Sequence, residues 1–437
     1  MNQLAKLWIR LRSSLWFLPS ILVLASMVAA VALIESEGLV GGEMAQRWPR
    51  VFGASADGSR EMLSAIATSM ITVAGVVFSI TIVALSLTST QYSPRVLRNF
   101  MRDRPTQVVL GVFVGIFAYC LLVLRTIRGA DDLTFIPSLA VLVGMACAFA
   151  GIAVLIYFIH HVAQSIQASS IVSRIFGDTA AAIDHLFPEE VGTPPARPWA
   201  VHADVPASWT CVKAKRSGYV TGIDSEGLVR FATEQERVLR LAAAPGDFVI
   251  EGTTLVEASG SAGISDEHRR RLQRLVVLGH HRTVEQDAGF GLQQLVDVAV
   301  KALSPGINDP TTACMCVDQL GALLVRLTVR RMPDTHRTVH GRLRVIAPGP
   351  QFADLLGLAF DAVIRHSRGD LEVLGRVLAA LEAVQGAATD AGRRKEVAAV
   401  IRDVERELRR VEPAIRAAGL RRRARGLLRG RSGSGLP

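Results

Sequence analysis

The sequence predicts a membrane protein in which a four-span α-helical transmembrane domain is followed by a cytoplasmic α+β region, a small β-barrel-like module plus a helical domain. Three observations predict it. Nearly all long uncharged runs lie before His160, whereas the rest of the chain carries most of the Arg, Asp and Glu. The mean hydropathy of +0.32 is high for a soluble chain. Beyond a proline-rich break, short β-type runs give way to helical apolar spacing.

The stretch from Met62 to Pro94 holds no charged side chain and exceeds the ~20 residues that a bilayer-spanning helix needs. Ser64, Thr68, Thr72, Gly75, Ser79, Ser86 and Thr90 recur along it at steps of three, four and seven, which places them on one helical face. Two readings of that face stand side by side. Small and hydroxyl groups let membrane helices approach closely, and rings of such groups also line conduction routes.

The other spans are expected over 15–34, 105–124 and 135–159, with the second over 62–90. Lys6, Arg10 and Arg12 precede the first, and Arg95, Arg98, Arg102 and Arg104 crowd the loop after the second. The positive-inside rule then puts both termini of a multi-pass chain in the cytoplasm. Ala30-Val31-Ala32 resembles a signal-peptidase site, and cleavage there would leave the later topology unchanged. Gly111 and Gly115 form a small-xxx-small pattern that marks close helix contact. The central part of each expected span lacks ionisable side chains, which argues against a proton-coupled pump.

After the membrane part (1–164), the expected order is a helix and Pro-rich linker (165–200), the β-module (201–260), the helical domain (261–415) and a basic disordered tail (416–437). Strands are expected at Thr210 to Lys213, Gly218 to Ile223, Gly227 to Phe231, Val238 to Leu241, Phe248 to Ile250 and Thr254 to Val256. Ser217-Gly218-Tyr219-Val220 and Gly246-Asp247-Phe248-Val249 resemble the turns of biotinyl and lipoyl-type barrel-sandwich domains, but no lysine stands where such domains attach a cofactor. No cofactor is expected.

Further on, Ser304-Pro305-Gly306-Ile307-Asn308-Asp309-Pro310 breaks two helices, with Asp309 placed to cap the second and Pro310 at its first position. The loop reads either as a rigid turn or as a ligand or subunit contact through Ser304, Asn308 and Asp309; Ser93, Arg95 and Arg98 are the corresponding candidates in the membrane-proximal loop. His160 and His161 read as interfacial residues or as a proton or metal group, and with no third ligand near in sequence no metal site is expected. Cys314 and Cys316, two apart on a helix, make a poor clamp and read as core. Asp287 and His281 have no nucleophile or oriented triad beside them, so no enzyme is expected.

The formal charge of +10 comes from Arg, with five Lys in the whole chain. Without a zinc-finger, helix-turn-helix or RNA-binding motif, nucleic acid is not an expected partner. Anionic lipid is, through Arg421, Arg422, Arg423, Arg425, Arg429 and Arg431.

Several of these segments together, Phe78-Ser79-Ile80, Ser93-Pro94-Arg95-Val96-Leu97-Arg98-Asn99-Phe100 with Asp103, and Ala302 to Pro310 with Thr312-Ala313, resemble a family of bacterial membrane proteins known as domain of unknown function 2254. The resemblance implies an inner-membrane protein and carries no activity to particular residues. The residues lead to the expectation of a homo-oligomer in which the second span lines an ion or small-solute pathway and the cytoplasmic part regulates it. The alternative is a membrane-anchored sensor or scaffold that transports nothing.

Overall fold

The computed structural model describes residues 16–47, 55–91, 103–128, 135–187, 208–260 and 263–429. The chain divides into two units, 1–170 and 171–437.

Four helices make the first unit: α1 (Phe17–Arg47), α2 (Ala56–Gln91), α3 (Arg104–Thr126) and α4 (Ser138–Ser165). Each contains a stretch long and apolar enough to cross a membrane. They are unequal in packing. Half of the α3 span is buried inside the chain, against 11 % for α1 and 22 % for α2 and α4, so α3 is the post on which the others lean. Phe113, Ile116, Tyr119 and Val123 of α3 form one core with Leu63, Ala67, Met70, Ala74 and Val77 of α2 and with Ala140, Val141 and Phe158 of α4.

Small residues let the backbones close in. A Cβ added to Gly111 would sit 2.7 Å from Leu22 Cδ1 and 2.9 Å from the Pro19 Cα, and one on Gly115 would sit 2.6 Å from Ser26 Oγ. The small-xxx-small pair therefore seats α1. Several polar groups of this unit find partners, although the buried Ser59 hydroxyl has none among the described residues. The Tyr119 hydroxyl donates to the Ala140 carbonyl at 2.7 Å, and Arg60 Nη2 donates to the Ile127 carbonyl at 2.9 Å, just past the end of α3. At the other end, the Asp103 carboxylate caps α3 by accepting from the Thr106 amide and hydroxyl, with Pro105 in the first turn.

The second unit takes up most of α5 (Ala168–Leu186), then β1 (Trp209–Lys213), β2 (Gly218–Ile223), α6 (Ser225–Glu234), β3 (Leu239–Leu241), β4 (Phe248–Val249), β5 (Thr254–Ser259), α7 (Asp266–Leu275) and β6 (Val276–Gly279). The remainder is α8 (Ala288–Ala302), α9 (Pro310–Thr328), β7 (His336–Val339), β8 (Arg342–Ile346), α10 (Phe352–His366), α11 (Leu371–Ala387), α12 (Ala391–Leu408) and α13 (Ala418–Leu428).

The strands form two open sheets, one of order β1-β5-β3-β8-β7 and one of order β4-β2-β6. The expected barrel-like module is thus corrected, because neither sheet closes on itself. Strands from far along the chain join instead: β6 pairs with β2, and β8 runs parallel to β3 through Leu239 opposite Val345. The expected strand Gly227 to Phe231 is a helix. Asp224 accepts from the Gly227 amide at 3.0 Å, and Leu228, Phe231 and Ala232 fall on one buried face at helical spacing.

The helices α8 to α12 pack around Leu320, Leu324, Phe360, Leu374, Leu381, Ile401 and Val404, all fully buried. Cys314 and Cys316 lie in this core. Gly321 allows α9 to meet α11, since a Cβ there would be 2.8 Å from that of Ala380. The expected disordered tail is, over residues 418–428, the helix α13. Ala424 and Leu427 bury against its neighbours, Arg421 donates to the Leu408 carbonyl at 2.6 Å, Arg423 pairs with Glu382, and Arg425 reaches Glu405 at 3.2 Å. Interleaved Leu and Ala give this arginine run an apolar face, and burying it fixes the helix.

Several other arginines serve backbone carbonyls at element ends. Arg330 donates to the Phe187 carbonyl at 2.6 Å, and Arg393 reaches the carbonyls of Leu327, Thr328 and Arg330. The planar guanidinium, with five donors, suits such carbonyl clusters better than an ammonium does.

Asp184 of α5 is held by Arg326 and, at 2.6 Å, by Arg330. The hydrogen bond from Arg326, helped by the nearby Arg330 charge, lowers its pKa below the usual carboxylate value. A depressed value means that stability is present above the unfolded pKa of about 3.9 and is lost as pH falls through the folded one. Asp184→Asn is expected to lower the unfolding free energy at pH 7 by about 1 kcal/mol, once solvent screening of this half-exposed group is allowed for, with a lower thermal midpoint there, and to match the unsubstituted chain near pH 2. An equal deficit at both pH values would remove the ion pair as the cause. Gly111→Val is expected to lower the midpoint in detergent, whereas Gly75→Val, at a position where a Cβ meets nothing within 4 Å, is expected to leave it unchanged.

Candidate functional site

Two faces of α2 divide its work. Leu63, Ala67, Met70, Ala74, Val77, Ala84 and Thr88 are buried against the rest of the membrane unit. Ser64, Thr68, Thr72, Gly75, Ser79, Ser86 and Thr90 are all exposed. At 3.6 residues per turn the centres of these two lines lie roughly 150° apart, close to opposite sides of the helix. Large apolar side chains flank the hydroxyl line, with Ile71, Phe78 and Ile82 on one side and Val76, Ile80, Val83 and Leu87 on the other. Among the described residues of the membrane unit, the hydroxyl line is therefore not a packing seam.

Its chemistry is uneven. Thr72 donates to the Thr68 carbonyl at 2.8 Å and Thr90 to the Ser86 carbonyl at 3.0 Å, so both hydroxyls are satisfied by their own helix. The hydroxyls of Ser64, Ser79 and Ser86 meet no partner among the described residues. Around Gly75 there is open space. The line begins in an open groove of about 800 Å³ lined by Arg60, Glu61, Ser64, Thr68, Ser69 and Leu124.

Extending the same three- and four-residue spacing toward the N-terminus reaches Glu61 and then Asp57, two exposed carboxylates at the head of the hydroxyl line. Arg60 points aside to the Ile127 carbonyl and stands 3.7 Å from Asp57. Sequence reasoning stopped at Ser64 because it followed the uncharged run. The periodicity itself continues through the charged turn, and following it would have found both residues.

At the opposite end of the helices, His161 Nε2 lies 2.7 Å from Asp103 Oδ2, with the Tyr157 ring stacked on the imidazole and Ser165 Oγ at 3.4 Å. The His pair thus gives one residue, His161, that ties the end of α4 to the start of α3. Asp103 could be foreseen as a cap from the proline two residues on, but not as a histidine partner, since 58 positions separate the two. Among the described residues no group of three or more His, Cys, Asp or Glu is arranged to hold a metal ion.

The loop Ser304–Pro310 is exposed from Pro305 to Asn308. Ser304 accepts the amides of Ile307 and Asn308 on its carbonyl at 3.0 and 2.9 Å. Asn308 takes a positive φ of 49°, which asparagine tolerates better than most residues. Asp309 caps α9 through the Thr312 amide at 3.0 Å, with Pro310 in the first turn. Its carboxylate is engaged there and the Ser304 hydroxyl donates to the Lys301 carbonyl at 2.7 Å, so of the three the loop offers the side chain of Asn308 most readily. Ser93, Arg95, Arg98 and Arg431 lie outside the described residues.

Elsewhere in the second unit, Asp287 caps α8 through the Phe290 amide and receives two hydrogen bonds from Arg282, which itself lies over the Phe290 ring. Burial pushes its carboxyl up, against the opposing pull of Arg282. Both carboxylate oxygens are engaged in this way, and the Gly246 backbone packs so close to Asp287 that a Cβ there would lie 2.2 Å from Oδ2.

Uncharacterized proteins of Mycobacterium tuberculosis and Mycobacterium bovis are 34 % identical over 419 residues, a stretch that covers 91 % of this chain and 77 % of each relative. No solved structure matches the chain. The family described as "Predicted membrane protein (DUF2254)" matches residues 12–383, which takes in all four apolar helices and the second unit as far as α11. The four apolar helices and this match together make the chain a member of the DUF2254 family of predicted membrane proteins.

Proposed function

We propose that the chain is a passive ion or small-solute channel of the bacterial inner membrane, assembled from several copies whose α2 hydroxyl faces meet around a shared axis. One observation carries the reading: the hydroxyl line faces away from the described helices of its own membrane unit, bounded by large apolar side chains. A lone exposed hydroxyl line gains nothing from lipid, whereas copies meeting along it would bury the flanking Ile71, Phe78, Val76 and Ile80 and leave the hydroxyls at the centre. Four helices with α3 at their middle enclose no pathway of their own, so conduction and oligomerisation stand or fall together.

In such an assembly Glu61 and Asp57 would ring one mouth, which favours cations over anions. The arginines in the sequence after α2 support a reading in which that mouth is on the outer side and both termini are cytoplasmic. The second unit then acts from the cytoplasm as a regulatory part, with no catalytic step. Of the C-terminal arginines, Arg422 and Arg429 remain exposed and unclaimed by the ion pairs of α13, and they are the ones available to anionic headgroups.

A second reading is favoured by the hydroxyls of Thr72 and Thr90. Being bonded to their own helix, they need no water, so the copies could meet along α2 in a dry seam that anchors a sensor or scaffold. Reconstituted protein separates the two. Conductance under applied voltage is expected, and in a Cys211→Ser background a cysteine at Ser79 is expected to react with a charged, membrane-impermeant thiol reagent and reduce the current. A dry seam predicts an unreactive cysteine and no current at all. Glu61→Gln is expected to reduce cation-over-anion permeability severalfold without changing the oligomer; an unchanged ratio would take Glu61 out of the mouth.

A further inference from the structure

A cavity of about 740 Å³ opens in the membrane unit between the middle of α1 and the last turns of α3. Val31, Ile34 and Leu122 form its apolar walls, while Glu35, Arg125 and Arg128 supply charge. These two kinds of lining are layered. The apolar span of α1 ends at Ser36 and that of α3 at Thr126, so the charged residues stand at the span ends, with Ile34 beside Glu35 and with Val31 and Leu122 about one turn, ~5 Å, deeper. Phe135 closes a further side, fastened to Arg128 by paired backbone hydrogen bonds of 3.2 and 3.3 Å.

The three charged side chains make no ion pair or hydrogen bond among the described residues. Many other arginines of the chain are committed to carbonyls or carboxylates. Two uncommitted guanidiniums on one wall are suited to a phosphate, which they can grip through paired N–H donors. Apolar walls directly below offer nothing to a free phosphate but fit the first methylenes of an acyl chain. Glu35, facing the same space, complements a cation carried by the same molecule.

We propose that this cavity binds one phospholipid per chain. Its phosphodiester lies between Arg125 and Arg128, its proximal acyl carbons lie against Val31, Ile34 and Leu122, and a primary ammonium on the headgroup meets Glu35. The class so defined is the phosphatidylethanolamine type, and the site is independent of what the outer face of α2 does.

Native mass spectrometry of the full chain released from bilayer nanodiscs, made of equal phosphatidylethanolamine and phosphatidylglycerol, tests it. One retained phospholipid per chain is expected, enriched in the ethanolamine form. Arg125→Ala with Arg128→Ala is expected to cut the retained fraction about tenfold, and Arg125→Lys with Arg128→Lys to preserve most of it, which separates lost binding from lost folding. Glu35→Gln is expected to abolish the preference for ethanolamine over glycerol while retention stays high. Equal retention by the alanine pair and the unsubstituted chain would overturn the site, as would displacement of the lipid by millimolar inorganic phosphate. An unaltered headgroup ratio in Glu35→Gln would overturn the ammonium contact.

Discussion

Everything in the membrane unit depends on the close approach of backbones at the glycines of α3 and α4. In a bilayer the apolar effect does not drive helices together, so van der Waals contact and matched polar groups must. Gly111 and Gly115 admit α1, while Gly144 and Gly151 bring α4 to within 3.0 Å of Leu63 and 3.2 Å of Met70, measured from the Cβ each glycine lacks. Tyr119 then ties α3 to α4 through the Ala140 carbonyl. Because those contacts consume the packed face of α2, its hydroxyl face is left pointing outward. The candidate pathway face is a consequence of how α3 is buried.

The second unit solves a different problem with the same economy of side chains. Its helix ends leave carbonyls that need donors, and arginines supply them at Phe187, Leu327, Arg330 and Leu408. This changes the meaning of the chain's excess positive charge. Part of what composition alone assigns to acidic partners is spent on stitching helix ends to their neighbours, and the arginine run of α13 is spent largely on Glu382 and Glu405. The absence of such commitments at Arg125 and Arg128 among the described residues is what distinguishes the cavity beside α1.

The caps were legible because they are local. Asp309 before Pro310 and Asp103 two residues before Pro105 announce helix starts within a few positions, and the structure has both. The sheets were not, since alternation over five residues is the same whether a strand closes a barrel or joins a strand a hundred residues away. Gly227 to Phe231 was misread for a related reason: Leu228, Val229 and Phe231 satisfy a strand's composition, and only the Asp224 cap and the helical spacing of its buried residues decide for a helix. The His161–Asp103 contact was beyond reach, because nothing in either local sequence names the other.

By itself the sequence determined that four helices are apolar enough to span a bilayer, that the second bears a hydroxyl line, and that Asp309 begins α9. Each of these depends on residues within a turn or two of one another, where composition and periodicity act directly. Which helix is central, which way the hydroxyl line faces, where the strands find partners and which arginines stay free were decided only by tertiary packing. Those outcomes depend on contacts between distant segments, and a helix wheel shows that a face exists without showing what lies against it.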